Sequence, residues 1–223
     1  MQLIRGKFIT LEGGEGTGKS TQARRLAAHL RTRGLNVLET REPGGSAGAE
    51  AVRHVLLSGA AQPFGSEAEA LLFAAARADH MDETIHPALE AGHYVVCDRF
   101  IDSSRVYQGA VGQVKAELLD ALEAVAIGEN LPDLTLVLDV PTELGLSRAE
   151  ARGKADRFER EGPAFHEAVR AAFLALAEHS PRHMVIDAHG SVEDVTQRMI
   201  AAVESRLFPP MPEQAELQEG AAS

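Results

Sequence analysis

The sequence predicts a single α/β domain over residues 1–208, built on an open parallel β-sheet with helices on both faces. Five short apolar runs of strand type alternate with longer stretches of helical spacing along the 223 residues. Strands that alternate with helices are joined by right-handed crossovers, which make the strands parallel and place helices on both faces of the sheet. A glycine-rich pattern also lies between the first strand and the first helix, where folds of this class carry a phosphate-binding loop.

The individual elements follow from the periodicity of the apolar residues. The first helix begins at Lys19, repeats apolar residues at i, i+3, i+4 and i+7 from Ala23, and stops at Gly34. Residues 209–223 contain three prolines, three glutamates and no basic residue, so we expect a disordered tail. The strand-type runs are 7–11, 36–40, 94–98, 134–139 and 183–187. The further helical stretches are 47–58, 67–90, 115–127, 142–152, 163–178 and 192–207.

The segment GGEGTGKS (13–20) matches the G-x-x-x-x-G-K-[ST] pattern of a loop that wraps a polyphosphate. Glycines let successive backbone N–H groups turn toward one anion, and the helix that begins at Lys19 directs its positive end to the same point. The Lys19 ammonium can reach the β- and γ-phosphates, and the Ser20 hydroxyl can bind Mg²⁺. We therefore assign polyphosphate binding to Gly13, Gly14, Glu15, Gly16, Thr17, Gly18, Lys19 and Ser20.

The composition restricts the class of ligand and the compartment. The formal net charge is −11, aromatic residues make up 4% of the chain, and tryptophan is absent. A protein that binds polynucleotides would need a basic face and stacking aromatic rings, so a mononucleotide is the better ligand. No apolar run could span a bilayer, and the N-terminus shows no signal-like segment. Together with the lone Cys97, which cannot form an internal disulfide, this favours a cytoplasmic protein without a membrane partner.

Several strand-type runs end in a carboxylate, and ligands of open parallel sheets bind beyond the carboxyl ends of the strands. The candidates are Glu12, Asp98, Asp139 and Asp187. Periodicity does not distinguish them, but Asp98 opens the polar segment DRFIDSSRVYQG. We therefore expect Asp98 to hold Mg²⁺ together with Ser20, and Arg99 to contact both a donor and an acceptor phosphate.

A second basic cluster, 147–161, has the character of a lid. It contains five basic and four acidic residues. Arg148 and Arg152 are four residues apart and share one helix face, and Gly153 marks a break at which the segment could flex. In phosphate-transfer enzymes such a lid excludes water and brings guanidinium groups to the γ-phosphate.

The charged residues favour a phosphate as the acceptor. A hydroxyl acceptor benefits from a positioned base, whereas a phosphate monoester is largely dianionic at pH 7 and needs alignment and charge neutralisation. Arg77 and Arg99 are placed at loop ends, and no histidine has an obvious role as a base. We interpret His54, His80 and His86 as structural or exposed.

Five segments together closely resemble the bacterial thymidylate kinases, over about residues 7 to 206. The segments are LEGGEGTGKSTQ (11–22), TREPGGS (40–46), LLFAAAR (71–77), DRFIDSSRVYQG (98–109) and PDLTLVLDV (132–140). The resemblance implies a P-loop kinase fold with a five-stranded parallel sheet and a short lid. It also implies ATP-dependent phosphorylation of dTMP to dTDP with Mg²⁺, and a homodimer.

The resemblance further implies roles for individual side chains at the acceptor site. Glu15 would face the 3′-hydroxyl of dTMP, Phe73 would stack on thymine, and Arg77 would contact the edge of the base. Tyr107 would crowd the 2′ position and favour deoxyribose, and Arg99 would bridge the two phosphates.

Other positions carried over from the family lie around these. The loop at Pro43 resembles one that shapes the acceptor site, and its peptide bond is expected to be cis. Ser104 and Gln108 would add polar contacts near the base. On the donor side, Ala188 belongs to the segment that corresponds to the loop near adenine, and Arg148 of the lid is assigned to ATP binding.

Two positions depart from the family pattern. Phe100 occupies the third place of the Asp–Arg motif, which is often Tyr or His, and little depends on it. A commoner lid pattern has an arginine where this chain has Glu150. This leaves Arg148, Arg152 and Arg157 as lid candidates, and we choose Arg152.

Relatives that carry an arginine inside the glycine loop have it where this chain has Gly16. The lid must then supply the cation that neutralises the transferred phosphoryl group, so the predicted catalytic residues are Lys19, Arg99 and Arg152. An arginine introduced at position 16 is expected to replace part of the function of Arg152, provided that the backbone there accepts a side chain.

Two alternatives remain open from the sequence. A deoxynucleoside kinase would share the fold but phosphorylate a 5′-hydroxyl, with Glu12 or Asp98 as the base. Thymidine and dTMP offered side by side would separate these two activities. A P-loop ATPase switch would hydrolyse ATP without a small acceptor and change its affinity for a protein partner, although the substrate-like segments 71–77 and 98–109 argue against it.

Overall fold

The computed structural model describes residues 5–153 and 157–209, and the side chain of Arg152 lies outside this description. The strands are β1 (Phe8–Glu12), β2 (Val37–Arg41), β3 (Tyr94–Asp98), β4 (Leu134–Asp139) and β5 (His183–Asp187). They form one sheet in the order β2-β3-β1-β4-β5, and every neighbouring pair is parallel. This five-stranded parallel sheet confirms the predicted fold class.

Helices occupy the segments between the strands. They are α1 (Lys19–Thr32), α2 (Ala47–Ser58), α3 (Gly65–His80), α4 (His86–Glu90), α5 (Ile101–Ser104), α6 (Ala116–Ile127), α7 (Thr142–Arg152), α8 (Pro163–Glu178) and α9 (Val192–Leu207). A turn of π-helix at Met81–Ile85 joins α3 to α4, and another at Arg105–Val111 extends α5. None of the described helices is long and apolar enough to cross a membrane.

Both faces of the sheet are buried under helices. Ile9 of β1 packs with Leu26 of α1 and Met199 of α9 on one face. Its neighbour Phe8 points to the other face and meets Phe100 edge to face, with ring centroids 4.8 Å apart. Burying one such side chain contributes about 1.5–3 kcal/mol. This two-sided core therefore holds the carboxyl ends of β1 and β3 firmly, at the edge where the candidate residues lie.

Most predicted boundaries agree with the structure. Strand β2 is Val37–Arg41 where 36–40 is predicted. The helix within 98–109 is not predicted by periodicity, because polar side chains buried at the site interrupt its apolar stripe. Residues 210–223, for which disorder is predicted, and 154–156 of the predicted lid lie outside the described residues.

Candidate active site

The glycine loop joins β1 to α1 at the carboxyl edge of the sheet and touches α7 backbone to backbone. Gly16 has a φ of 65°, a left-handed conformation that favours glycine. A Cβ on Gly16 would lie 1.8 Å from the carbonyl oxygen of Gly145, and a Cβ on Gly145 would lie 2.6 Å from the carbonyl oxygen of Glu15. This contact therefore needs glycine on both sides.

The same contact decides the condition that was attached to an arginine at position 16. A side chain on Gly16 would collide with the backbone of α7 as well as adopt an unfavourable φ. The condition for an arginine at position 16 to replace Arg152, a backbone that accepts a side chain, is not met. A rescue by Gly16→Arg is therefore not expected for this chain.

Lys19 is almost fully buried at the start of α1. Its Nζ donates hydrogen bonds to the carbonyl oxygens of Gly14 at 2.6 Å and Gly13 at 3.1 Å, and to Oγ1 of Thr17 at 3.3 Å. Burial and then the charge of Arg99 lower the pKa of Lys19 to about 8. An anion in the loop would favour the ammonium form, so a bound polyphosphate and this side chain stabilise each other.

Ser20 and Asp98, the two predicted metal ligands, lie side by side. The Ser20 hydroxyl donates to Oδ2 of Asp98. Oδ1 of Asp98 is buried and has no hydrogen-bond partner among the described residues. Carboxylate and hydroxyl oxygens suit Mg²⁺. Over residues 5–153 and 157–209, no group of three or more His, Cys, Asp or Glu could hold a metal ion.

Arg99 follows Asp98 at the end of β3 with a φ of 71°. Its Nη2 donates to Oε1 of Glu15 at 2.5 Å and to the Tyr107 hydroxyl at 3.3 Å. Its Nη1 donates to the carbonyl oxygen of Gly13 at 3.2 Å. Burial opposes the ionisation of Glu15, but the charge of Arg99 prevails and lowers the pKa of Glu15 to about 2. The guanidinium thus connects the glycine loop to the neighbouring cavity.

Glu12, at the end of β1, holds the turn that carries Arg99. Its Oε1 accepts the backbone N–H groups of Phe100 at 2.8 Å and Ser103 at 3.2 Å, and its Oε2 accepts the Ser103 hydroxyl at 2.7 Å. Burial and then the charge of Asp102 raise the pKa of Glu12. Because both oxygens accept hydrogen bonds from the protein, Glu12 is poorly placed to be the base of a hydroxyl acceptor.

A cavity of about 370 Å³ opens beside the glycine loop. The structure brings together at this cavity every residue expected at the acceptor site. These residues are Glu15, Pro43, Phe73, Arg77, Arg99, Ser104, Tyr107 and Gln108. The volume suits a small molecule, and the mixture of aromatic and convergent polar groups is typical of such sites. Leu57 of α2 and Phe158 of the lid also line the cavity.

A buried ion pair holds Arg77 of α3 at the wall of this cavity. Its Nε donates to Oε2 of Glu42 at 2.8 Å, and both side chains are about 95% buried. Nδ1 of His80 contacts the other oxygen of Glu42 at 3.2 Å. The peptide bond between Glu42 and Pro43 is cis, as expected from the sequence. Both terminal nitrogens of Arg77 lie 3.2 Å from the Ser104 hydroxyl, which directs the guanidinium toward the cavity.

The lid arginines are engaged in different places. Nη1 of Arg148 donates to the carbonyl oxygen of Ala188 at 3.1 Å, which ties α7 to the loop predicted near adenine. Arg157 forms an ion pair with Glu69 of α3. The side chain of Arg152, predicted to be catalytic, lies outside the described residues, and only its backbone position at the end of α7 is known.

Sequence reasoning missed three supporting residues: Glu12, Glu42 and Phe158. The position of Glu12 at the end of a strand marks it as a candidate site residue, but the sequence pattern does not show which backbone groups it binds. Glu42 lies within TREPGGS, so the segment was recognised without its ion pair to Arg77. Phe158 carried no signal, because its segment is dominated by charged residues.

Known proteins resemble this chain in sequence and in fold. Residues 11–199 match the family model described as thymidylate kinase. Over 208 residues the chain is 53% identical to the thymidylate kinase of Bradyrhizobium sp. (strain BTAi1), with 92% of each chain covered. It is 54% identical to that of Nitrobacter winogradskyi, with 92% of this chain and 90% of that protein covered. The crystal structure of thymidylate kinase from Ehrlichia chaffeensis is 33% identical with a TM-score of 0.72, covering 89% of this chain and 99% of that chain. With a family model that matches most of its length, the chain belongs to the thymidylate kinase family.

Proposed function

We propose that the chain transfers the γ-phosphoryl group of ATP to the phosphate of dTMP, which forms dTDP. The observation that carries this proposal is the position of Arg99, whose guanidinium lies between the glycine loop and a cavity lined by Phe73 and Arg77. A triphosphate in the loop and a monophosphate in the cavity would bring their reacting groups to this arginine. Membership of the thymidylate kinase family supports the same pair of nucleotides.

On the donor side, the backbone N–H groups of residues 13–18 and the Lys19 ammonium would bind the phosphates of ATP. The phosphates would lie at the N-terminus of α1, where the helix dipole favours anions. Ala188 and Arg148 are proposed to contact the adenine end, and the hydrogen bond between them supports a common surface there.

On the acceptor side, Phe73 would stack on thymine and Arg77 would donate to the edge of the base. Ser104 and Gln108 line the same cavity and would add hydrogen bonds to the base. Tyr107 would crowd the 2′ position of the sugar and so favour deoxyribose. The buried ion pair behind Arg77 supports this arrangement, because a fixed guanidinium costs less entropy to bind the base.

Glu15 and Pro43 would complete the acceptor site. Glu15 is ionised because of Arg99, and a carboxylate is the form that accepts a hydrogen bond from the 3′-hydroxyl. Pro43 lines the cavity and its carbonyl oxygen accepts a hydrogen bond from Arg53 of α2 at 2.6 Å. This contact supports the role of the loop at Pro43 in shaping the cavity.

The proposed reaction needs no general base from the protein. The second pKa of a phosphate monoester is about 6, so dTMP is mainly a dianion at pH 7. One of its oxygens attacks the γ-phosphorus in line with the departing oxygen of ADP. The protein contributes alignment and charge: Lys19 and Arg99 would contact the phosphates as they converge, and Arg152 would reach the transferred group.

Mg²⁺ is proposed as the cofactor, and Ser20 and Asp98 would hold it. Its fit rests on the buried Oδ1 of Asp98, which has no protein partner in the described part of the chain, and on the adjacent Ser20 hydroxyl. When bound, the ion neutralises phosphate charge and orients the transferred group.

We also propose a cytoplasmic homodimer. Leu71 of α3 is 54% exposed and Val125 of α6 is 83% exposed. Exposed apolar residues on neighbouring helices favour a surface that a second copy would bury.

A formal net charge of −11 supports the absence of a nucleic acid polymer as partner.

Coupled ADP release with a panel of nucleoside monophosphates tests the proposed activity. We expect dTMP to be preferred, and dUMP to be used about 10- to 200-fold less efficiently, because one missing methyl costs about 1–3 kcal/mol. Equal use of dUMP or faster use of dGMP would overturn the acceptor assignment. ADP release without any acceptor would favour the ATPase switch instead.

A further inference from the structure

Phe158 brings an aromatic ring from the lid to the acceptor cavity. It begins the short 3-10 turn Phe158–Arg160 and lines the cavity with Phe73 and Tyr107. The ring centroids of Phe158 and Phe73 are 6.3 Å apart with a tilt of 49°. Phe158 meets Tyr107 edge to face at 5.6 Å. These three rings form one continuous group, which we call the aromatic corner.

The aromatic corner lies between the two parts of the expected acceptor nucleotide. Phe73 is the ring proposed to stack on the base. The Tyr107 hydroxyl donates to Glu15 at 3.0 Å, on the side proposed for the sugar. Phe158 contacts both rings and therefore lies where base and sugar would meet. A larger base would need to displace this ring, so its position limits the space for the acceptor.

An ion pair between the lid and α3 fixes the residue next to this ring. Nη2 of Arg157 donates to Oε2 of Glu69 at 2.9 Å, and Nη1 donates to the other carboxylate oxygen. Their side chains are only 16% and 5% exposed. The guanidinium carbon of Arg157 lies 4.3 Å from the centroid of the Phe158 ring. The pair thus holds the ring through a cation–π contact as well as through the backbone.

The burial of this ion pair makes it sensitive to loss of either partner. Removing one member of a buried pair leaves a charge without compensation, which is strongly unfavourable. A neutral side chain at Glu69 would therefore favour release of Arg157 into water. The adjoining Phe158 would move with it, because the two residues are consecutive in the chain.

We propose that Phe158 is a specificity-determining residue of the acceptor site, and that the Glu69–Arg157 ion pair is the positioning element that holds it there. This inference rests on the proposed function, since it takes the acceptor nucleotide to occupy the cavity. In this proposal the lid contacts the acceptor nucleotide through Phe158 and the donor nucleotide through Arg148. Recognition of a pyrimidine deoxynucleoside monophosphate depends on the ring, whereas ATP binding does not.

A purely structural role for Phe158 would give a different result. The ring also packs against the cluster that contains Val106, Val169 and Phe173. If it only filled this cluster, its removal would lower the thermal midpoint and leave the KM for dTMP unchanged. A role in specificity instead raises the KM for dTMP at an unchanged KM for ATP.

Steady-state kinetics of Phe158→Ala, Phe158→Leu and Glu69→Gln test the inference. Glu67→Gln is the matched control, because Glu67 is exposed on the same helix two residues from Glu69. We expect the KM for dTMP to rise about tenfold or more in Phe158→Ala and in Glu69→Gln, and less in Phe158→Leu. The KM for ATP should stay within about twofold, and the preference for dTMP over dGMP should shrink. If Phe158→Ala does not fold, the KM for dTMP of Phe158→Leu tests the inference.

The double mutant separates the two parts of the inference. In the Glu69→Gln background, Phe158→Ala should add little, because the ring has already left its position. Fully additive effects would overturn the positioning role of the ion pair. An unchanged KM for dTMP in both Phe158 variants would overturn the specificity role. A wild-type protein that does not phosphorylate dTMP would instead contradict the proposed function, before any variant is compared.

Discussion

Nη2 of Arg99 donates a hydrogen bond to Oε1 of Glu15 at 2.5 Å, across the boundary between the glycine loop and the acceptor cavity. The same guanidinium reaches the carbonyl oxygen of Gly13 in the loop and the Tyr107 hydroxyl in the cavity. Both charged side chains are more than four-fifths buried, so solvent screens them weakly. A fixed positive charge therefore lies where the two phosphates of the proposed reaction must converge.

Replacing Arg99 should slow the chemical step far more than it weakens donor binding. We expect Arg99→Ala to lower kcat by about 10³-fold or more, because arginines that neutralise a transferred phosphoryl group contribute about 10³–10⁵ in rate. The dissociation constant for ATP should change much less. Arg99→Lys keeps the charge but loses the planar fork, so it should recover only part of the rate. A variant with weak ATP binding and normal kcat would make Arg99 a positioning residue only.

Arg152 is the proposed lid cation, and the two other lid candidates have partners of their own. Arg148 is bound to the carbonyl oxygen of Ala188, and Arg157 is bound to Glu69. Arg152→Ala should lower kcat strongly and leave dTMP binding nearly intact, as measured by turnover and by calorimetric titration. Arg31→Ala is a suitable control, because Arg31 is an exposed residue of α1. Normal turnover in Arg152→Ala would refute the assignment.

The glycine contact predicts that a cation cannot be moved into the loop. Because a Cβ on Gly16 would lie 1.8 Å from the carbonyl oxygen of Gly145, Gly16→Arg should not restore turnover to Arg152→Ala. The single variant Gly16→Ala should already weaken ATP binding, since α7 and the loop would be forced apart. A double-mutant cycle on kcat checks this, and a measurable rescue would contradict the backbone contact.

The pKa of Lys19 predicts an alkaline limit for capture of ATP. Burial lowers this pKa to about 8, so in the free enzyme Lys19 loses its proton and its positive charge as the pH rises through that value. The kcat/KM for ATP, which reports the free enzyme, should fall about tenfold per pH unit above about pH 8. Bound phosphates raise the pKa of Lys19, so kcat should stay level to a higher pH. A kcat/KM that stays flat to about pH 10 would contradict this account.

The Ser20–Asp98 pair predicts which variants change the requirement for Mg²⁺. Asp98→Asn removes the charge of the buried carboxylate, so the Mg²⁺ concentration for half-maximal activity should rise about tenfold or more. Asp139→Asn is the matched control, because Asp139 also ends a strand but binds Arg170 at 2.7 Å and 3.0 Å. Equal requirements in the two variants would exclude Asp98 as a metal ligand. Removal of Mg²⁺ by a chelator should abolish activity in the wild type.

Local pattern was sufficient for the sheet, the loop and most helices. The three inner strands β1, β3 and β4 are short apolar runs that are buried along most of their length. Lys19 begins a helix with clear apolar spacing. The helical segment from Ile101 to Val111 is not predicted, because the buried polar residues Asp102, Ser104 and Gln108 interrupt its apolar spacing. Apolar periodicity fails to predict a helix in this segment, because polar residues interrupt the apolar stripe of the helix.

The sequence pattern does not predict contacts between residues that are far apart along the chain. Glu12 binds the backbone of Phe100 and Ser103, and Arg157 binds Glu69, at separations of about 90 residues along the chain. Such pairs depend on how the elements pack, and a single sequence contains no periodic signal for them. The resemblance to a family supplied the residues proposed to face the substrates, whereas the structure supplied the residues that hold them.

The most direct test of the proposed reaction identifies the acceptor atom. The protein is incubated with ATP, Mg²⁺, dTMP and thymidine together, and the products are followed by phosphorus NMR and chromatography. Because Arg99 lies beside a cavity with convergent arginines, and Glu12 has both oxygens occupied, we predict that dTDP and ADP form while thymidine is unchanged. Formation of dTMP from thymidine, or of ADP and free phosphate without a nucleotide product, would contradict transfer to the phosphate of dTMP.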